Sequence, residues 1–132
     1  MAMDERPVKH SVAVLICNGD RILAIRRPDD DDELPGIWGL PAGTCREGET
    51  IPDVIHRIGR DKLGTRLTPV RSLNSGMQER TNYRLEMELW EATAEGLPTA
   101  RQWQWATPEV LQPGAASGSL CCELALRCSG GL

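Results

Sequence analysis

The sequence predicts a mixed α/β sandwich, a sheet with helices packed on it, in one domain spanning residues 1–132. Three observations carry this expectation. Strand-type and helix-type runs interleave along the chain. The 132 residues suit one hydrophobic core. No internal repeat or linker-like stretch divides them.

Residues 8 to 17 are rich in Val, Leu and Ile and alternate weakly, so they read as a strand. Asn18-Gly19-Asp20 separates them from a second apolar run, Arg21 to Arg27, and Asn-Gly between two such runs signals a hairpin. The acidic stretch Asp29 to Glu33 reads as a solvated loop. Trp38 to Ala42 reads as a short strand, closed by Gly43. The loop from Gly43 to Gly48 leads into a helix. Thr50 is its N-cap, Pro52 suits the first turn, and Asp53 complements the helix dipole. The helix is predicted to run to about Leu63 and stop at Gly64. Strands are predicted at Thr68 to Ser75 and Arg80 to Ala94, a turn at Glu95 to Pro98, and a last strand at Gln102 to Ala106. Thr107-Pro108-Glu109 opens a short helix, and Ser119 to Arg127 forms the final one.

Bulk properties narrow the function. Hydrophobic residues make up 40% of the chain, with no Phe, so aliphatic side chains supply most of the core. The net charge of −4 comes without a Lys/Arg stripe that would hold a nucleic-acid polymer. Arg26 and Arg27 form only a small basic patch, enough for a small anionic ligand. The longest apolar run, Val12 to Cys17, is far too short to span a membrane. Met1 to Pro7 is charged and lacks a signal-peptide core, which favours the cytoplasm. The five cysteines (17, 45, 121, 122 and 128) include no Cys-x-x-Cys and read as reduced thiols used as small hydrophobes.

The informative segment is Gly43-Thr44-Cys45-Arg46-Glu47-Gly48-Glu49-Thr50, continued by Arg57-Ile58-Gly59-Arg60-Asp61-Lys62-Leu63-Gly64-Thr65. It resembles the Nudix box, G-x5-E-x7-R-E-U-x-E-E-x-G-U, where U is aliphatic. Gly43, Glu49, Arg57 and Gly64 fall in register without a gap. The preceding Gly36-Ile37-Trp38-Gly39-Leu40-Pro41-Ala42 and the later Gln102 to Glu109 also resemble the family's flanks. The resemblance implies an α/β/α sandwich with a mixed sheet. It implies hydrolysis of a diphosphate linked to a nucleoside or similar group, with Mg2+ or Mn2+ as cofactor and sometimes a homodimer as the assembly. In the family, helix carboxylates hold the hard cation against the diphosphate and activate a water. The residues this carries over are Glu49, Arg57 and Asp61 for catalysis, and the Gly43 carbonyl, Glu49 and Asp61 for metal.

The chain departs from the pattern where that chemistry lives. The three helix carboxylate positions hold Ile58, Asp61 and Lys62. Ile58 can neither bind metal nor accept a proton, and Lys62 reverses a charge. Two unit charges about 4 Å apart interact by roughly 4 kcal/mol at an effective dielectric near 20, so such a reversal opposes a cation strongly. Ile51, Val54, Ile55 and Ile58 share an i, i+3, i+4, i+7 stripe, which places Ile58 on the buried side. Gly59 costs about 1 kcal/mol in a helix interior relative to Ala. Arg57 has two candidate partners, Asp61 one turn on and Glu49 across the loop.

The leading expectation is therefore a relative with impaired or lost hydrolysis that binds a phosphate-bearing small molecule, of nucleotide type. Gly43, Lys62, Arg26 and Trp103 are the candidate ligand contacts, with the Lys62 ammonium touching the diphosphate where a metal belongs. Tyr83 is a second candidate for stacking on a base, and Trp105 reads as core. Glu86, Glu88 and Glu95 are candidates for a late carboxylate, and His10 and His56 carry no partner signal. One rival reading is an active metal-dependent pyrophosphohydrolase using Glu49, Asp61 and another carboxylate. The other is an interaction module that binds no ligand.

Overall fold

A strand buried on both faces organises the fold. In the computed structural model, which describes residues 6–99 and 102–130, β1 (Val8–Leu15) turns Val12 and Val14 to one apolar cluster and Ala13 and Leu15 to another. Side chains alternate across a strand, so a run apolar at every position needs cover on both sides. The charged leader read at Met1 to Pro7 falls, for residues 1–5, outside the described residues.

β1 runs parallel to β7 (Arg84–Ala94) and antiparallel to β5 (Ala42–Thr44), while β7 pairs antiparallel with β6 (Leu67–Glu79). The resulting mixed sheet has the order β5-β1-β7-β6. A second group of strands is centred on β3 (Arg21–Arg26), flanked by β2 (Cys17–Asn18), β4 (Trp38–Gly39) and β8 (Trp103–Ala106). One cluster joins Val12, Val14, Leu23 and Ile25 to α1 (Ile51–Ile58) through Val54, Ile55 and Ile58. The opposite cluster joins Ala13, Leu15 and Leu89 to α3 (Leu120–Gly130), with α2 (Gln112–Ala116) and a 3-10 turn at Pro108–Leu111 beside it. The predicted mixed α/β sandwich is the observed one.

α1 starts as its sequence demands. The Asp53 N–H donates to Thr50 Oγ1 at 3.3 Å, and the Thr50 N–H donates to Asp53 Oδ2 at 2.9 Å, a reciprocal cap. The helix does not continue as an α-helix to Leu63. It gives way at Gly59 to one π-helical turn, Gly59–Leu63, which ends at a left-handed Gly64 with φ 71°. The wider turn displaces Asp61 and Lys62 from the i+3 and i+4 positions that they would hold above Ile58.

Three further boundaries differ from expectation. Trp38 to Ala42 is not one strand. Trp38–Gly39 pairs with β3, whereas Ala42–Thr44 pairs with β1, and Pro41 between them accepts from the Val14 N–H. The strand expected at Thr68 to Ser75 extends from Leu67 to Glu79 and shifts register twice, at Pro69/Arg71 and Ser72/Asn74. Arg80 does not begin β7; its N–H donates to the Tyr83 carbonyl and closes the turn.

Gly59 has a specific reason to be glycine. A Cβ there would stand 2.6 Å from the Thr65 carbonyl oxygen and 2.8 Å from Leu67 Cγ. Part of that obstruction is backbone, which cannot rotate aside. Gly59→Ala is therefore expected to destabilise the fold by about 1–3 kcal/mol, as overpacking does, although helix propensity alone favours Ala by about 1 kcal/mol. Urea unfolding checks the sign, since a gain in stability would mean that the close approach is soft.

Candidate functional site

The loop between β5 and α1 is pinned by one carboxylate. Arg57 lies on α1 and is buried at its side chain except for about a tenth of its surface. Its Nε donates to Glu49 Oε2 at 2.9 Å, and its Nη2 donates to Glu49 Oε1 at 2.9 Å and to the Thr44 carbonyl at 2.7 Å. Glu49 Oε1 also accepts from the Arg46 N–H at 2.7 Å. Of the two partners open to Arg57, Glu49 is the one hydrogen-bonded. The guanidinium hydrogen bonds, with that of the Arg46 amide, hold the Glu49 carboxyl down at about 2. The same pairing raises Arg57 above its ordinary value.

Asp61 is exposed and accepts from Arg60 Nε at 3.0 Å. Ile58 is 1% exposed and packs under the Gly43 backbone; a Cβ on Gly43 would meet Ile58 Cγ1 at 3.1 Å. The position that would carry a helix carboxylate thus belongs to the core. Among the described residues no group of three His, Cys, Asp or Glu side chains is placed to hold a metal ion. Glu49 is consumed by Arg57, Asp61 faces Arg60, and Lys62 brings a cation. This donor set does not fit a hard divalent cation, which needs several oxygen ligands around one point.

Lys62 instead lines two cavities of about 240 Å³ each, which share Arg27, Ala42, Lys62 and Cys121 as a common wall. Gly43, Lys9, Arg80 and Tyr83 are among the other residues of the first, and Asp31 and Gly39 belong to the second. Four cations, Lys9, Arg27, Lys62 and Arg80, therefore surround the first cavity, against the single carboxylate of Glu33. Arg27 is held in place by Asp31, whose Oδ2 accepts from Arg27 Nη1 at 3.0 Å and from the Leu34 N–H at 2.9 Å. Hydrogen bonds from the Leu34 amide, and then from Arg27 and the Glu33 amide, lower the Asp31 carboxyl. One member of the acidic run is thus a positioning residue rather than merely solvated. Lys9 Nζ stands 4.3 Å from the Tyr83 ring centroid.

The other candidates lie elsewhere. Arg26 donates to Asp29 Oδ1 at 2.6 Å and to Gln102 Oε1 at 3.2 Å, and it lines neither cavity. Trp103 meets Trp105 edge to face at 6.0 Å, and both pack on the α1 cluster. His10 and Glu86, 3.4 Å apart, line a separate cavity of about 500 Å³ with Cys45 and Glu88. His56 is exposed, and Glu95 faces Arg66 at 4.0 Å. Lys9, Arg80 and Cys121 were not singled out as site residues from sequence. Only the parallel pairing of β1 with β7 brings Lys9 beside Leu85, and hence near Tyr83 and Arg80.

A family model for the NUDIX domain matches residues 7–119. Over 56 residues the chain is 38% identical to a protein of Escherichia fergusonii described as nucleoside triphosphatase NudI; this stretch is 42% of the chain and 40% of that relative's length. The fold is similar to the solution structure of the E. coli ORF135 protein, with TM-score 0.78 and 22% identity, covering 96% of this chain and 94% of that one. It is also similar to a MutT protein from Methanosarcina mazei Go1, with TM-score 0.76, 19% identity and 96% of both chains covered.

The Glu49–Arg57 pairing has a pH signature. A carboxyl depressed from 4.5 to about 2 on folding contributes stability that is fully present above 4.5 and is lost as pH falls toward 2. Glu49→Gln is expected to be less stable than the wild type near neutral pH, with the gap closing on acidification through that window. Urea midpoints across pH check this, and a constant gap would count against the pairing. In Arg57→Leu the Glu49 carboxyl is expected to titrate higher, as read by carbon NMR.

Proposed function

The chain belongs to the Nudix family, and on that premise we propose that it binds a small phosphate-bearing molecule of the nucleotide class, with pyrophosphohydrolase activity impaired or lost. The ligand would be a nucleoside diphosphate derivative or a nucleoside triphosphate. One observation carries this reading. The cavity wall beside Gly43 presents Lys62 and Arg27, while the box carboxylates Glu49 and Asp61 are engaged by Arg57 and Arg60.

Cations at that wall can do part of what a metal does, neutralising a diphosphate and fixing its place. An ammonium and a guanidinium donate charge-assisted hydrogen bonds to phosphate oxygens. They supply no coordinated water, so binding does not lead to hydrolysis through them. The likeness to a relative described as a nucleoside triphosphatase supports a nucleotide ligand. Tyr83, at the cavity edge, offers a ring for a base, with Lys9 already over one side. The five unpaired thiols accord with a reducing, cytoplasmic setting.

In chelator-containing buffer, inorganic pyrophosphate or a nucleoside triphosphate is expected to raise the melting temperature. A ligand at about 100 times its dissociation constant adds roughly 2.7 kcal/mol. Lys62→Ala is expected to weaken that binding about tenfold or more, equivalent to roughly 1.4 kcal/mol. Unchanged affinity in Lys62→Ala would remove the assigned role of the ammonium. Magnesium-dependent turnover of a nucleotide by the wild type, abolished in Asp61→Asn, would establish the active-hydrolase reading instead.

A further inference from the structure

The acidic run after β3 offers alternate residues to three arginines. Asp29 accepts from Arg26, Asp31 from Arg27 and Glu33 from Arg80. Arg27 and Arg80 both line the first cavity, but their carboxylates are held very differently. Asp31 Oδ2 accepts from Arg27 Nη1 at 3.0 Å, from the Glu33 N–H at 3.1 Å and from the Leu34 N–H at 2.9 Å, and the side chain is 24% exposed. Glu33 Oε2 accepts from Arg80 Nη1 at 3.1 Å, and the side chain is 52% exposed. Among the described residues no other donor reaches the Glu33 carboxylate. One member of the run is therefore fixed by the loop backbone, and the other by a single exposed contact.

Arg80 is incompletely satisfied in that contact. Its backbone is held, with the N–H donating to the Tyr83 carbonyl at 2.8 Å and the carbonyl accepting from Arg6 Nη1 at 2.7 Å. Its guanidinium is not. Nη1 donates to Glu33, whereas Nε is buried and has no hydrogen-bond partner. Native proteins pair nearly all of their buried donors, so an unpaired one calls for an acceptor. Glu33 comes from a segment 47 residues away and engages one nitrogen of Arg80. Arg57, by contrast, grips both oxygens of Glu49 through Nε and Nη2.

We propose that Arg80 is a phosphate-binding residue of the first cavity and that Glu33 is its exchangeable partner, displaced when a phosphoryl anion enters. This deepens the reading under Proposed function and rests on it. A phosphoryl group can accept from Nε and Nη of one guanidinium together, which satisfies the donor that Glu33 leaves unpaired. The exchange replaces an exposed, singly bonded ion pair, a kind that contributes little, with a two-point contact. The new contact lies on a wall that also carries Lys9, Arg27 and Lys62. Glu33 thereby selects among ligands. A neutral molecule leaves the pair closed, and a carboxylate offers Arg80 no more than Glu33 already does. A phosphoryl group brings more charge and more acceptor oxygens. Asp31, tied to the loop backbone, stays and keeps Arg27 in place while Glu33 moves.

The test titrates the full chain with inorganic pyrophosphate in chelator-containing buffer and reads affinity by calorimetry. Glu33→Gln is expected to tighten binding severalfold, and Arg80→Gln to weaken it about tenfold or more. Asp30→Asn makes the same charge change at an exposed residue of the same run that does not line the cavity, and is expected to leave affinity unchanged. With Arg80→Gln already present, Glu33→Gln is expected to have no further effect, which separates displacement from simple removal of charge. Arg80→Lys keeps the charge but not the fork, and is expected to bind nearly as weakly as Arg80→Gln. Failure of Glu33→Gln to tighten binding, or equal tightening with and without Arg80, would overturn the proposal. In the wild type, the NMR signal of the Arg80 Nε–H is expected to move at saturating pyrophosphate, and a stationary signal would overturn it too. If Lys62→Ala weakens binding while changes at Glu33 and Arg80 do not alter it, this proposal fails and the phosphate reading stands. Absence of pyrophosphate binding in every form would remove both.

Discussion

A buried guanidinium has to be satisfied from several directions at once, and Arg57 is satisfied by the very segment that forms the rim of the site. Its hydrogen bonds to both Glu49 oxygens and to the Thr44 carbonyl tie the end of β5, the following loop and α1 into one unit. A bidentate guanidinium–carboxylate pair fixes direction as well as distance. Removing either partner would leave the other charge poorly compensated in a confined place. The loop backbone, and with it the floor of Gly43, is therefore held whether or not any ligand is bound. The same pairing occupies most of the acceptor capacity of Glu49 with the protein's own donors.

Beyond that clamp, the course of the chain after Ile58 decides the electrostatics. Gly59 admits the Thr65 carbonyl at a distance that no side chain would tolerate, and the helix passes through a π turn before Gly64. Asp61 is left outward beside Arg60, Lys62 reaches the cleft, and Leu63 is fully buried. With Ile58 filling the space beneath Gly43, apolar packing occupies the centre of the box helix. Positive charge lines the cavity in front of it. On the proposed reading, an anion would meet these cations directly.

The opposite wall of that cleft comes from α3, near the far end of the sequence. Leu120, Leu124 and Ala125 pack it on the sheet, and Gly76 in β6 leaves room for Leu124. This packing brings the Cys121–Cys122 pair against Gly39. Both cysteines are buried in one core cluster, and of the two Cys121 also lines the cleft. The difference comes from their surroundings, since a helix turns successive side chains to different neighbours.

Much of the architecture was legible in the chain alone. The apolar run through Val12 to Ile16, the Asn18-Gly19 turn, the Thr50/Asp53 cap and Gly64 each act over a few residues, and local physics is enough to place them. The four box anchors in register identified the loop and helix, and the stripe from Ile51 to Ile58 placed Ile58 inside. What needed the tertiary structure was anything that depends on two distant segments meeting. The choice of Glu49 over Asp61 by Arg57 depended on how the loop folds back. The π turn depended on β6 crossing close to Gly59. Arg27, rather than Arg26, reached the cleft because neighbouring residues at a strand end point to opposite sides. Lys9, Arg80 and Cys121 became part of one cavity only through the pairing of β1 with β7 and the docking of α3. Local sequence sets each residue's chemistry and its element, whereas the charge of a cavity is set by which elements the hydrophobic core brings together.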